Sequence, residues 1–172
     1  MNRDRLLYAA PAVVCAALLG YGYYLQYFDS QDPCPLCLVQ RGFYYGVLLV
    51  FAIAAMHFPG RTGKSAYCAA ATILALGGFG VAARQVWLQH LPADQVPACG
   101  PDLFFMMENF PLGRMLEKLF MGSGQCAEVT WRFLGLSIAE WSLAWFTALA
   151  LYAIWLAFRP STSGRVALHP PV

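Results

Sequence analysis

Four of the six cysteines stand at positions where thiol–disulfide exchange can occur. Cys34 and Cys37 form a Cys-Pro-Leu-Cys motif, while Cys99 and Cys126 lie within a long polar segment. A bridge across two intervening residues closes a ring too small to stabilise a fold appreciably, so such pairs are more typical of redox exchange. The spacing therefore indicates a dithiol motif that accepts or donates electrons.

The pairing of these four cysteines has three combinatorial solutions. Cys34 and Cys37 are close in sequence, and Cys99 and Cys126 share one loop. We therefore favour the disulfides Cys34–Cys37 and Cys99–Cys126 as the resting state. A rearranged pairing between the two loops stays open, and it can be part of a mechanism. A membrane protein whose outer loops carry purely structural bridges is the alternative from another functional class.

Metal and haem sites fit the cysteine pattern less well. A haem attachment motif places histidine directly after the second cysteine, where this chain has Leu38. A zinc site of four thiolates usually repeats the tight pair, whereas Cys99 and Cys126 are far apart in sequence. We therefore expect no metal site.

The helix N-terminus and Arg41 both favour the reactive thiolate form of Cys37. Pro35 suits the first turn of a helix, where unpaired backbone N–H groups and the helix dipole attract negative charge. Arg41 follows Cys37 by four positions, so it lies on the same helix face about one turn deeper. We expect Arg41 to donate hydrogen bonds to a bound cofactor, and Arg84 at the end of the third helix and His90 soon after it are further candidates for the same site. The alternative for both arginines is anchoring at the membrane interface, and for His90 it is a solvated loop.

Long uncharged runs must position these residues, and they predict a membrane protein. The chain has 172 residues, of which 59% are hydrophobic and only 12% charged. A helix needs about 20 apolar residues to cross a bilayer. Cys15 and Cys68 fall inside two of the runs and are interpreted as small apolar side chains. The four runs are Leu6 to Phe28, Gly42 to Phe58 with an extension back to Leu38, Ser65 to Ala83, and Trp141 to Phe158.

The distribution of Lys and Arg predicts the orientation. Short loops that carry these residues stay in the cytoplasm, which puts both termini inside and both cysteine-bearing loops outside. The net charge of +2 is thus a topology signal and gives no reason to expect nucleic-acid binding. The residues behind this orientation are Arg3, Arg5, Arg61, Lys64, Arg159 and Arg165.

The fold prediction is an all-α membrane protein, a bundle of four transmembrane helices with one long outer loop. We expect one domain over residues 1–159 and a flexible cytoplasmic tail over residues 160–172. Within the loop, apolar residues recur at helical spacing and polar residues occupy the other face. This pattern predicts a short amphipathic helix on the membrane surface. Its apolar face comprises Leu112, Met115, Leu116, Leu119 and Phe120, and its polar face Gly113, Arg114, Glu117 and Lys118.

This combination of motifs resembles the bacterial disulfide bond formation protein B family, DsbB. The resemblance covers most of the chain. It implies a four-helix bundle in the bacterial inner membrane, ubiquinone or another respiratory quinone as cofactor, and the periplasmic thiol oxidase DsbA as partner. The matching residues are Cys34-Pro-Leu-Cys37, Arg41, Cys99 in Pro-Ala-Cys-Gly, Gly124-Gln-Cys126-Ala-Glu, Trp131-Arg-Phe-Leu-Gly-Leu136 and Trp141.

The resemblance also implies residue roles. Cys99 would face the partner, and Cys126, once freed, would attack Cys34. Cys37 would then be released as a thiolate beside the quinone. His90 can be matched to the family's histidine near the quinone with a shift in spacing. A vitamin K epoxide reductase-like protein is a rival, but its Cys-x-x-Cys sits late in the chain instead of opening the second helix.

Overall fold

The computed structural model describes residues 3–29, 33–57, 59–92, 94–96, 105, 108–111, 113–114, 117 and 124–160. Within them, four helices are long and apolar enough to cross a membrane, which confirms the predicted all-α membrane fold with four spanning helices. The elements are α1 (Arg3–Phe28), α2 (Pro35–His57), α3 (Arg61–Gln89), a short α4 (Gly124–Ala127), the strands β1 (Arg132–Phe133) and β2 (Leu136–Ser137), and α5 (Ile138–Phe158).

The two central helices extend beyond their apolar runs. The second helix begins at Pro35 instead of Leu38, and α3 continues past Ala83 to Gln89. Glutamine and arginine are good helix formers, so a helix does not end where its apolar run ends. Arg84 consequently lies inside α3 and not at its end.

A pair of adjacent glycines lets the helices pack closely. A Cβ atom on Gly77 would overlap the ring of Phe43 from α2, and one on Gly78 would overlap the ring of Phe146 from α5. The Phe146 ring is fully buried and stacks on Tyr44 with a centroid distance of 4.2 Å. Small residues at such contacts allow close approach of helices in membranes.

Contacts between helix ends show that the four long helices alternate in direction. Lys64, near the start of α3, donates a hydrogen bond to the carbonyl of Arg159 after α5. Near the same end, the Tyr152 hydroxyl donates to the Leu7 carbonyl of α1 at 2.8 Å. The opposite end gathers the starts of α2 and α5 and the ends of α1 and α3, and we call it the cysteine end.

A small hairpin leads into α5 and was not part of the all-α prediction. Its strands pair antiparallel through Arg132–Ser137 and Phe133–Leu136. The turn residues Leu134 and Gly135 both have positive φ, at 53° and 83°, as the tight turns of two-residue hairpins require.

The N-terminus of α5 carries a capping box. The Ser137 hydroxyl accepts from the Glu140 backbone N–H, and the Glu140 carboxylate accepts from the Ser137 N–H. Each partner thus satisfies a backbone donor that helix geometry leaves unpaired.

Only part of the predicted outer loop lies among the described residues. Gly113, Arg114 and Glu117 are helical and exposed, in keeping with a polar helix face. The predicted apolar face and Lys118 lie outside the described residues, as do Cys99 and the tail after Pro160.

Candidate redox site

Cys34 and Cys37 occupy the first turn of α2, and the local sequence explains why. Cys34 is the N-cap residue, because its carbonyl accepts from Leu38 N–H and its Sγ accepts from Cys37 N–H at 3.4 Å. The sulfur thus takes the place that a serine oxygen usually has in a helix cap. Pro35 follows at the first helical position, where the missing N–H costs nothing. The Cys34 and Cys37 sulfurs lie 2.9 Å apart.

Cys126 joins this pair from α4, and its side chain is fully buried. Hydrogen bonds with Cys126 and Cys37, together with burial, raise the pKa of the Cys34 thiol above its usual range. Three of the four predicted redox cysteines therefore come together at the cysteine end. The fourth, Cys99, lies outside the described residues.

A cavity of about 790 Å³ opens beside the sulfurs. That volume is in the range of sites for small molecules and cofactors, which are mostly apolar with a few fixed polar groups. Its polar lining includes Cys37, Arg41 and Gln85, while Leu18, Tyr44 and Trp145 contribute apolar wall. The arrangement can hold an apolar ligand with a polar head group near Cys37.

The side chain of Arg41 reaches from α2 to α1. One terminal nitrogen donates to Gln26 Oε1 at 2.6 Å, and the other donates to the Gly22 carbonyl at 3.0 Å. The guanidinium also lies over the Tyr23 ring, 4.8 Å from its centroid. Arg41 is therefore fixed at the cavity wall by neutral partners, so its positive charge is available to a ligand.

Comparison with known proteins gives the family. The model of the family "Disulfide bond formation protein DsbB" matches residues 4–156. The chain belongs to the DsbB family. It is therefore a multi-pass membrane disulfide oxidoreductase.

Relatives named "Disulfide bond formation protein B" match nearly the whole chain. The protein of Aromatoleum aromaticum is 46% identical over 155 residues, which are 90% of this chain and 93% of the relative. That of Hahella chejuensis is 46% identical over 152 residues, or 88% and 91% of the two chains. That of Chromobacterium violaceum is 45% identical over 161 residues, or 92% and 94%.

Two further candidates, Arg84 and His90, make other contacts in this DsbB-family protein. The Arg84 guanidinium stacks over the Trp87 ring, 4.1 Å from its centroid. His90 is exposed, and its Nδ1 lies 2.8 Å from the Val86 carbonyl oxygen. Neither residue is part of the cavity lining, so their contact with a cofactor stays a prediction.

Two buried glutamines were missed from the sequence. Gln85 Nε2 lies 3.2 Å from the Cys37 sulfur and 3.4 Å from the Cys34 sulfur. Gln40 Nε2 donates to Gln85 Oε1 at 2.6 Å. The available signal was polarity itself, since an amide within or beside a membrane-spanning run needs a partner inside the protein.

Proposed function

We propose that this DsbB-family protein re-oxidises a DsbA-like periplasmic dithiol protein and passes the electrons to ubiquinone or another respiratory quinone. The observation that carries the proposal is the cavity, whose lining includes both Cys37 and the fixed Arg41 cation. Its apolar walls suit a lipid-soluble ring and tail. In this scheme, residues 1–159 form the working domain, and residues 160–172 take no part.

The cysteines carry out two thiol–disulfide exchanges. A thiolate of the partner attacks Cys99 of the Cys99–Cys126 bridge, which forms a mixed disulfide and frees Cys126. The Cys126 thiolate then attacks Cys34, which breaks the Cys34–Cys37 bond and releases Cys37 as a thiolate. The buried contact between Cys34 and Cys126 supports this second step.

Later exchanges restore both bridges and release the oxidised partner. The partner's second thiol attacks its own sulfur in the mixed disulfide and releases Cys99 as a thiolate. Cys99 then attacks the Cys126 sulfur of the Cys126–Cys34 bond, which re-forms the Cys99–Cys126 bridge and releases Cys34. The Cys34 and Cys37 sulfurs are left holding two electrons. A quinone held beside Cys37 and Arg41 would accept these two electrons together with two protons. Arg41 contributes a fixed positive charge to the lining of the same cavity.

The redox potentials explain why a thiol pair alone is not enough. A DsbA-type oxidase has a potential of about −120 mV, and each ~30 mV corresponds to about 1.4 kcal/mol for two electrons. Its re-oxidation therefore needs an acceptor at a still higher potential. A respiratory quinone satisfies that requirement, whereas an ordinary structural disulfide does not.

The charges support a location in the bacterial inner membrane with both termini in the cytoplasm. Arg5, Lys64 and Arg159 lie at the bundle end opposite the cysteines, as the positive-inside rule demands. Both cysteine-bearing loops then face the periplasm, where disulfides persist.

The test is quinone reduction by the purified protein with reduced DsbA. Cys37→Ser is expected to abolish turnover, because the sulfur that faces the cavity is lost. Cys68→Ala is the matched control, since that thiol is buried in the core at a distance from the site, and it should keep turnover. Unchanged turnover in Cys37→Ser would refute the proposal.

A further inference from the structure

The amide of Gln85 contacts the sulfurs of both Cys34 and Cys37. Its Nε2 reaches the Cys37 sulfur at 3.2 Å and the Cys34 sulfur at 3.4 Å. The side chain is only 4% exposed. Burial of an amide is costly unless its hydrogen bonds are made, so these contacts are part of what holds Gln85 in place.

The orientation of this amide is fixed by a second glutamine. Gln40, 3% exposed, donates from Nε2 to Gln85 Oε1 at 2.6 Å. That bond engages the carbonyl oxygen, which also lies 3.6 Å from the Cys37 sulfur, and it leaves the NH₂ group as the nearer of the two, 3.2 Å from that sulfur. A primary amide has two N–H donors, which is enough for one to each sulfur.

We propose that Gln85 stabilises the reduced form of the Cys34–Cys37 couple, and that Gln40 is the positioning residue that keeps its NH₂ group on the sulfurs. The inference rests on the proposed function, since it assigns a role within that electron transfer. The Gln85 hydrogen bonds make the Cys34–Cys37 couple more oxidising toward an incoming dithiol.

The physical basis is the difference in charge between the two redox states. Reduction of the bridge takes up two electrons and one proton, breaks the S–S bond, and leaves a Cys34 thiol and a Cys37 thiolate. Hydrogen bonds to an ionised acceptor are about twice as strong as those to a neutral one. The Gln85 N–H groups therefore favour the reduced state over the bridge, which raises the reduction potential.

The experiment measures the redox equilibrium of the couple directly. The full-length protein, purified in detergent and freed of quinone, is equilibrated in dithiothreitol buffers of graded reduced-to-oxidised ratio. Acid quenching, alkylation and mass spectrometry then give the fraction of Cys34 bridged to Cys37. The readout needs neither quinone nor the partner protein.

Three glutamine-to-methionine variants keep side-chain shape while removing the amide. Gln85→Met is expected to lower the equilibrium constant for reduction about tenfold, a fall of ~30 mV. Gln40→Met should shift it the same way by about threefold, because the Gln85 amide is then free to turn. Gln89→Met is the matched control, one turn further along α3, since its amide oxygen bonds Ser137 and it should leave the constant unchanged.

The outcomes separate this inference from the proposed function. Equal constants in Gln85→Met and Gln89→Met would overturn the role of Gln85, whatever the quinone assay reports. A wild-type protein that fails to reduce quinone would refute the proposed function while leaving the Gln85 shift measurable. If thermal unfolding shows that Gln85→Met does not fold, Gln40→Met decides, because a wild-type constant there would also overturn the inference.

Discussion

Arg41 of α2 donates a 2.6 Å hydrogen bond to Gln26 Oε1 of α1, so two helices share one cation at the cavity wall. A second hydrogen bond of 3.0 Å to the Gly22 carbonyl fixes the guanidinium in two directions. Both partners are neutral. The positive charge therefore stays available to whatever lies in the cavity, and its position depends on the packing of α1 against α2.

Arg41→Lys should weaken the site for the quinone although the charge is kept. Lysine presents a point charge on a flexible stem and cannot hold both α1 acceptors in the fixed geometry of a guanidinium. We expect the KM for quinone to rise about tenfold, in line with the loss of one charge-assisted hydrogen bond. Steady-state assays with graded quinone concentrations measure this.

Arg84→Lys is the matched control for that measurement. The Arg84 guanidinium stacks on Trp87 and is not part of the cavity lining, so its loss should leave the KM within about twofold. An equal rise of the KM for quinone in both variants would contradict the conclusion that Arg41 contacts the cofactor and Arg84 does not. It would assign Arg84 the cofactor contact predicted from the sequence.

Removal of the Cys37 and Cys99 sulfurs should trap a bond between Cys34 and Cys126. These two buried cysteines belong to one packed cluster, and Cys37→Ala combined with Cys99→Ala takes away the resting disulfide partner proposed for each of them. We expect a Cys34–Cys126 disulfide to accumulate as the main form of Cys34 under mild oxidation. Mass spectrometry of digested, alkylated protein detects it.

The control for that trap is Cys15→Ala, which removes a thiol buried in the core. It should give no such cross-link beyond the wild-type level. Recovery of Cys34 in the doubly substituted protein as an alkylated thiol would contradict the observed proximity of Cys34 and Cys126.

Gly78→Ala should destabilise the bundle. The added methyl group would overlap the buried Phe146 ring of α5, and overpacking of a filled core costs about 1–3 kcal/mol. Thermal unfolding in detergent measures the loss. Gly80→Ala is the control on the same helix, because a Cβ atom there meets nothing within 4 Å, and it should be neutral or slightly stabilising.

A second substitution tests whether the overlap with Phe146 causes the loss of stability in Gly78→Ala. Phe146→Leu shortens the obstructing side chain, so Gly78→Ala combined with Phe146→Leu should lose less stability than the sum of the two single changes. Strict additivity would contradict the contact, since independent sites add and touching ones do not.

Loss of the α5 cap should also lower stability. Ser137→Ala removes the acceptor for the Glu140 N–H and the 2.8 Å hydrogen bond from Ser137 Oγ to Gln89 Oε1. Loss of an N-cap side chain costs about 1 kcal/mol. We expect a lower unfolding temperature for Ser137→Ala and a smaller change for Glu140→Gln, which keeps an acceptor suited to a capping box. The reverse order would contradict the capping role of Ser137.

The sequence was sufficient for the features that depend on composition or on neighbouring residues. Apolar run lengths predicted four spanning helices, and Pro35 beside Cys37 predicted the start of α2 near the sulfurs. The face shared by Cys37 and Arg41 follows from helix periodicity and is present in the cavity wall.

Features that depend on contacts between distant segments were not predictable in this way. Gln85 lies beyond Ala83, where the third apolar run ends, although α3 continues through it to Gln89. Its role emerges only when α3 packs against α2, which brings its amide to Cys37 and Gln40. The hairpin before α5 was missed because its turn places Leu134, an unusual residue at positive φ, beside Gly135.

The separation of Gln85 from Gln89 has a consequence for inhibitor design. Four residues of helix put about 6 Å between them along the axis of α3, and both line the cavity. A compound with an apolar body and one polar group can thus be anchored on Gln89, a turn away from the Gln85 amide that contacts the sulfurs. Such a compound would occupy the cavity without forming a covalent bond to a cysteine.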